Sequence, residues 1–292
     1  MGACLPPSER TPLTARALVL SLSLFALAVA SGCSSQRLVV VDPDPGVAAD
    51  AGVDLDIQPG LLDGIVGYWR LDDVGSASAR DGSGRGNHGV LVNLNSATAW
   101  VPGKSGLSLL INDGWVMVTP SASIDAISDG VTIAGWVYLD GQINAWATML
   151  SRQIGSTIEQ HYHLSLNPER RPNLFVTTAT RTVILLAPDP VPPRSWVHLA
   201  ATYDGANARL FVEGVPVSSM PITGAFAADN TPVILGGNGN DATGVPTELF
   251  PGRIDEVMLY RRALGADEIA LLRAGALFAT GTPTAPRDAA AD

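Results

Sequence analysis

Residues 195–217 read SWVHLAATYDGANARLFVEGVPV. Read as extended chain, Val197, Leu199, Ala201 and Tyr203 fall on one face, and Trp196, His198, Ala200 and Thr202 on the other. Asp204-Gly205-Ala206-Asn207 carries turn residues. ARLFV is a second strand, and Glu213-Gly214 closes a tight hairpin in which the glycine supplies positive φ. The result is a three-stranded meander with apolar contact on both faces, as expected inside a sandwich. The segment also holds an acid and a base, but six residues of strand and turn separate His198 from Asp204, on the order of 15–20 Å if extended. They do not form a local dyad, and His198 reads as a packed strand residue.

Outward from this stretch the same grammar repeats. From Ile65 to about Leu272, runs of four to nine residues such as IVGYWRL, VTIAGWVYL, YHLSLN and NLFVTT are separated by Gly, Pro, Asn and Asp. The 30 glycines and 21 prolines serve those turns. About a dozen strands without strand–helix alternation imply an all-β, two-sheet antiparallel sandwich or jelly roll rather than a parallel α/β sheet. One helix is expected, at ADEIALLRA, with Asp267 and Glu268 in its first turn, Arg273 in its last and Gly275 after it.

Several landmarks occur in an order that resembles a known family. They are GYWRLDD (67–73), DGSGRGNHGVLVN (81–93), GKSGLSLLINDGWVMV (103–118), VTIAGWVYL (131–139), the opening stretch, and LFPGRIDEVMLYRRALGADEI (249–269). Together they are similar to the bacterial laminin G-like, concanavalin A-like jelly-roll domain, over residues 63–277. The resemblance implies a two-sheet sandwich with one short C-terminal helix. It also implies a binding function, toward glycans or other proteins, without naming a ligand.

The ends read differently. Arg10 and Arg16 precede the apolar run ALVLSLSLFALAVA (17–30), which suits a signal peptide and is short for a membrane span. Ala30-Ser31-Gly32-Cys33 then resembles the lipobox of bacterial lipoproteins, with cleavage after residue 32 and acylation of Cys33. Ordinary secretory cleavage near Ala28-Val29-Ala30 is the alternative. Ser34 favours the outer membrane or cell surface. Residues 33–62 read as an acidic flexible tether, and residues 278–292 as a disordered tail. Cys4 and Cys33 are the two cysteines, so the mature globule has no pair to oxidise. The net charge of −10, with no Lys/Arg cluster, argues against a nucleic-acid partner.

No catalytic motif emerges. GxSxG, HExxH, a P-loop, CxxC and the E-x-D-x-E strand of laminarinase-type glucanases are absent from the sequence. Asp255-Glu256 are adjacent in a strand, so their carboxylates are expected on opposite faces and not as a cooperating pair. His161 and His163 share a face at the spacing of metal ligands, but no Cys is available and no other His lies near them in sequence. Calcium is the cofactor expected. Asp81 and Asn87 lie in a Gly-rich loop that can turn carbonyls inward, and Asp255 offers a further oxygen. Asp72 is an additional candidate, and a turn with side-chain-to-backbone bonds and no metal is the alternative. In similar domains, early-loop and closing-strand oxygens meet around a structural ion. Ligand contact is expected at exposed aromatics, namely Trp115, Trp146 and Tyr162, while Trp69, Trp136 and Trp196 are expected in the core. The expected function is non-catalytic recognition of a glycan or surface protein. The alternatives are a structural or assembly role in the envelope and a divergent glycoside-active enzyme.

Overall fold

The alternation of residues 196–203 is realised as the third strand of a broad antiparallel sheet in the computed structural model, which describes residues 60–153, 160–240 and 245–276. In spatial order this first sheet runs Val215–Pro221, Asn207–Val212, Trp196–Tyr203, Val131–Leu139, Gly252–Tyr260, Leu107–Ile111 and Trp100–Pro102, with Ile65–Trp69 also paired to Gly252–Tyr260. The second sheet runs Thr182–Leu186, Pro172–Thr177, Gln160–Leu166, Ala147–Gln153, Val233–Leu235, Trp115–Val118, Gly89–Val92 and Ser78–Ala79. The signal and tail segments, Cys33 and most of the expected tether lie outside the described residues.

Parity decides which side chains enter the core. Val197, Leu199, Ala201 and Tyr203 meet Tyr162, Leu164, Leu166, Leu174 and Val176 of the opposite sheet. Burying each such side chain contributes roughly 1.5–3 kcal/mol, so the two inner faces hold the sandwich together. A second apolar cluster lies on the outer face of the first sheet. There Phe211, Met258 and Tyr260 are covered by Ile269 and Leu272 of the helix Ala266–Arg273. Leu61, expected in the tether, is 2% exposed in this cluster. Its apolar side chain finds cover there, so the folded unit includes it.

The helix begins at Gly265, whose N–H donates to Glu268 Oε2 at 2.9 Å. An unexpected short helix, Ala122–Asp125, starts where Ser121 Oγ accepts from Ile124 N at 3.3 Å. In the opening stretch, Asp204 Oδ1 accepts from Ala206 N and Asn207 N, and Asp204 pairs with Arg209 at 2.6 Å. The following hairpin takes positive φ at both Glu213 (53°) and Gly214 (78°), the geometry that matches strand twist. Glu213 also does more than turn the chain. Its carboxylate accepts from His198 N at 2.7 Å and pairs with Arg273 of the helix at 2.8 Å.

One parity expectation fails. A β-bulge interrupts the strand Gly252–Tyr260 between Asp255 and Met258, and Glu256 has φ of 51°. Ile254 and Val257 both face the core. The extra residue therefore places Asp255 and Glu256 together on the outer face. Asp255 Oδ2 accepts from Lys104 N at 2.7 Å and Ser105 N at 3.0 Å, while Tyr68 Oη donates to Glu256. Both carboxyl groups are 0% exposed. Burial pushes Asp255 up to about 7 and Glu256 up to about 8, with repulsion from Asp255 adding to the latter.

Candidate functional site

The outer face of the second sheet carries the most differentiated side chains. Strand register aligns Ile184, Phe175, His163 and Ser151 across four neighbouring strands. One step along, Asn173 and Ser165 pair beside Thr148. These residues alternate with the core-facing Tyr162, Leu164, Leu174 and Val176, so parity alone delivers them to the outside.

They are nonetheless mostly buried, because Asn238–Asn240 and Pro246–Thr247 pair above this face. Ser151 Oγ donates to Gly237 O at 3.0 Å, Gly239 N donates to Ser151 Oγ at 3.2 Å, and Thr148 N donates to Glu248 O at 3.0 Å. Gly239 is required by closeness: a Cβ there would overlap the Gln153 side chain.

At the rim of this cover stand three half-buried groups, Trp146, Phe175 and Glu248. Trp146 meets Phe175 edge-on, with centroids 6.0 Å apart at 72°. Phe175 stacks on His163 at 5.3 Å and 24°. His163 Nε2 lies 2.8 Å from Thr148 Oγ1 and 3.8 Å from Glu248 Oε2. Burial pushes His163 down to about 3, so the ring is neutral. Thr148 Oγ1 and His163 Nε2 share one hydrogen bond, whose donor is set by the histidine tautomer. Asn238 Nδ2 donates to Glu248 Oε2 at 2.8 Å. Burial raises the Glu248 carboxyl above its ordinary range, and the bonds from Asn238 and Thr148 oppose that rise. Among the described residues, His163 Nδ1, Asn173 Oδ1 and Asn238 Oδ1 have no hydrogen-bond partner. The site is an aromatic wall beside a held carboxylate, over a floor of buried polar groups.

The expected site residues are distributed unevenly. Trp146 is at this rim. Trp115 shares the outer face but stands two strands from Ala147–Gln153 and four from the strand of Phe175, on the order of 10 and 19 Å at normal strand spacing. Tyr162, expected to be exposed, is 0% exposed and packs edge-on to Phe226 in the core at 5.6 Å, because its strand position has core parity. Trp196, expected in the core, is half-buried on the opposite outer face and tilts against Tyr138 at 5.4 Å. The two histidines beside Tyr162 separate. His161 lies 3.4 Å from Asp229, while His163 joins Phe175.

Asp81 and Asn87 do meet. Asp81 accepts from Tyr68 N, Ser83 N, Ser83 Oγ and Asn87 N at 2.8–2.9 Å. The Asn87 side chain bonds Val66 O, Ser121 Oγ and Ser123 Oγ. Asp255 instead holds the 103–106 turn, and Asp72 accepts from Leu107 N at 2.6 Å. Donors already fill the Asp81 oxygens, and among the described residues no three His, Cys, Asp or Glu side chains group to hold a metal. This arrangement fits a hydrogen-bonded loop better than a cation site.

Sequence patterning does not flag Phe175, Glu248 or Asn238. Phe175 reads as one more apolar residue of NLFVTT, although its parity opposite Leu174 and Val176 marks it as outward-facing. Glu248 and Asn238 reach the site through the hairpin cover, for which local sequence carries no signal.

A model of the concanavalin A-like lectin/glucanases superfamily matches residues 111–270. No curated protein matches the chain. Among solved structures, the fold is similar to the binding domain of Paraclostridial Mosquitocidal Protein 1 (TM-score 0.56, 17% identity, covering 73% of this chain and 52% of that one). It is similar to domain 4 of AbnA, an extracellular arabinanase from Geobacillus stearothermophilus solved with arabinotriose (0.51, 20%, 72% and 98%). A Trypanosoma rangeli sialidase also shares it (0.53, 16%, 78% and 35%). The chain thus spans about half of the first protein, nearly all of the second and about a third of the third.

Proposed function

Because the chain belongs to the concanavalin A-like lectin/glucanases superfamily, we propose that it is a non-catalytic carbohydrate-recognition module whose ligand sits against Trp146, Phe175 and Glu248. The observation that carries this reading is the juxtaposition of a half-exposed aromatic pair with a positioned carboxylate. Sugar C–H faces pack on rings, and sugar hydroxyls donate to a carboxylate that is already oriented. The arabinotriose-bound arabinanase domain supports the class of ligand by analogy of fold. A non-catalytic role is supported by the state of Asp255 and Glu256, the carboxyl pair that the bulge brings to a shared face: both are sealed from solvent.

The same reading places the module on the cell surface, held by a lipid on Cys33 and spaced from the membrane by residues 33–62. The Ala30-Ser31-Gly32-Cys33 motif supports it. A glycan array probed with the protein, followed by Trp146→Ala and Phe175→Ala on the best glycan, tests the function. Loss of binding with an unchanged melting temperature is expected. An array without signal, together with a specific co-purifying envelope protein, overturns the glycan reading.

A further inference from the structure

The outer face of the first sheet carries a second set of groups that the preceding site does not use. Trp196, Tyr138 and Arg253 occupy facing positions on three neighbouring strands. Their rings and guanidinium stand in contact: Trp196 to Tyr138 at 5.4 Å, and Arg253 over the Tyr138 ring at 4.7 Å. All three are half-buried. The helix Ala266–Arg273 covers the other part of this face, over Phe211, Met258 and Tyr260, and leaves this row open. At the Trp196 end a cavity of about 340 Å³ opens, lined among others by Pro190, Pro192, Trp196, Val212 and the acids Asp189 and Glu213. Along the margins of the row, exposed Lys104 lies over Trp136 at 4.2 Å, and Arg194 bonds the Asp140 carbonyl at 3.4 Å.

Two cations stand directly over rings of this face, Arg253 over Tyr138 and Lys104 over Trp136, with Arg194 on the Asp140 carbonyl and the acids Asp189 and Glu213 at the cavity. Asp140 stands among them and is 3.6 Å from Arg253. Asp255 and Glu256, one row back, are buried. A fork-shaped guanidinium fixed beside a tilted aromatic pair matches a ring that carries a planar or tetrahedral oxyanion.

We propose that the Trp196–Tyr138–Arg253 row is a second binding surface, on the opposite side of the sandwich from Trp146 and Phe175, for an anionic sugar. The sugar rings pack on Trp196 and Tyr138, and the carboxylate or sulfate meets Arg253 and Lys104. This surface shares no residue with the site at Trp146, Phe175 and Glu248.

The test is titration of the full chain with two acidic probes, polygalacturonate for carboxylate and heparin for sulfate, and with methyl-esterified polygalacturonate as the neutral control. At least one acidic probe is expected to bind. Tyr138→Ala and Arg253→Gln are expected to weaken it about tenfold or more, while Trp146→Ala leaves it unchanged. Melting temperature checks that each variant folds; should Tyr138→Ala not fold, Arg253→Gln and Lys104→Gln decide the question. The proposal is overturned if neither acidic probe binds, if the ester binds as well as the acid, or if the loss follows Trp146→Ala and not Arg253→Gln. Failure of the Trp146 site alone leaves this pattern untouched, so the two readings are separable.

Discussion

Replacing Asp255 with Asn and Glu256 with Gln is expected to flatten the pH dependence of stability between about pH 5 and 9. In the folded protein burial raises the two carboxyl groups to about 7 and about 8, from ordinary values of 3.8 and 4.5. Over that interval the native state therefore holds protons that the unfolded chain has released. Stability falls with pH wherever the native state binds more protons. The contribution is fully present below about pH 4 and is lost as pH rises through the folded values. A tenfold difference in proton affinity between the folded and unfolded states corresponds to about 1.4 kcal/mol. The pair titrates together, and even a tenfold difference for each group amounts to about 3 kcal/mol, a large part of a typical total of about 5–15 kcal/mol. The amides keep the geometry: in Asp255→Asn the side-chain oxygen can still accept from Lys104 N and Ser105 N, and in Glu256→Gln it can still accept from Tyr68 Oη. Urea denaturation of wild type and the double variant from pH 5 to pH 9 measures the difference. The variant should gain on the wild type steadily as pH rises. Parallel curves would refute the reasoning, because then neither carboxyl group binds a proton in the native state at these pH values.

Three further outcomes follow from the site and its supports. Trp146→Ala or Phe175→Ala should weaken glycan binding by about 1–2 kcal/mol, about a five- to thirtyfold change, in calorimetry at constant melting temperature. Gly239→Ala should force the hairpin off Gln153, costing about 1–3 kcal/mol in denaturant titration and reducing glycan binding at the same time, since Asn238 holds Glu248. Calcium against chelator should leave the melting temperature unchanged, because four protein donors already fill the Asp81 oxygens; a saturable rise with Ca²⁺ would place an ion on Asp81, Asn87 or Asp255 after all.

Much of the architecture is legible in the sequence because it rests on parity. Residues 196–203 alternate cleanly, Asp204 and Gly214 mark their turns, and Asp267, Glu268 and Arg273 bracket the helix. What escapes is of two kinds. A bulge inserts one residue and reverses parity downstream, and nothing in IDEV announces it, so plain alternation sends Asp255 and Glu256 to opposite faces. Exposure read from neighbours in sequence also differs from exposure set by neighbours in space. Tyr162 between two histidines looks exposed, yet its parity is that of Leu164. Trp196 at the start of an apolar strand looks buried, yet it faces out with His198. The site itself joins Trp146, Phe175 and Glu248 across about a hundred residues, and only the folded sheet brings such groups together.

The order of strands has a consequence for how copies of this chain meet. Sheet margins offer unpaired backbone groups to any passing strand. Among the described strands, Val215–Pro221 carries Pro216 and Pro221, Trp100–Pro102 is three residues long and ends in proline, and Ser78–Ala79 is two residues long. Each is a poor template for another chain. Thr182–Leu186 has no such guard, and its Ile184 is 49% exposed beside Phe175. Aggregation at high local density is therefore predicted to start there, and a ligand lying over Phe175 would shield the same margin. Slower aggregation of the glycan-bound protein under light scattering is the expected sign.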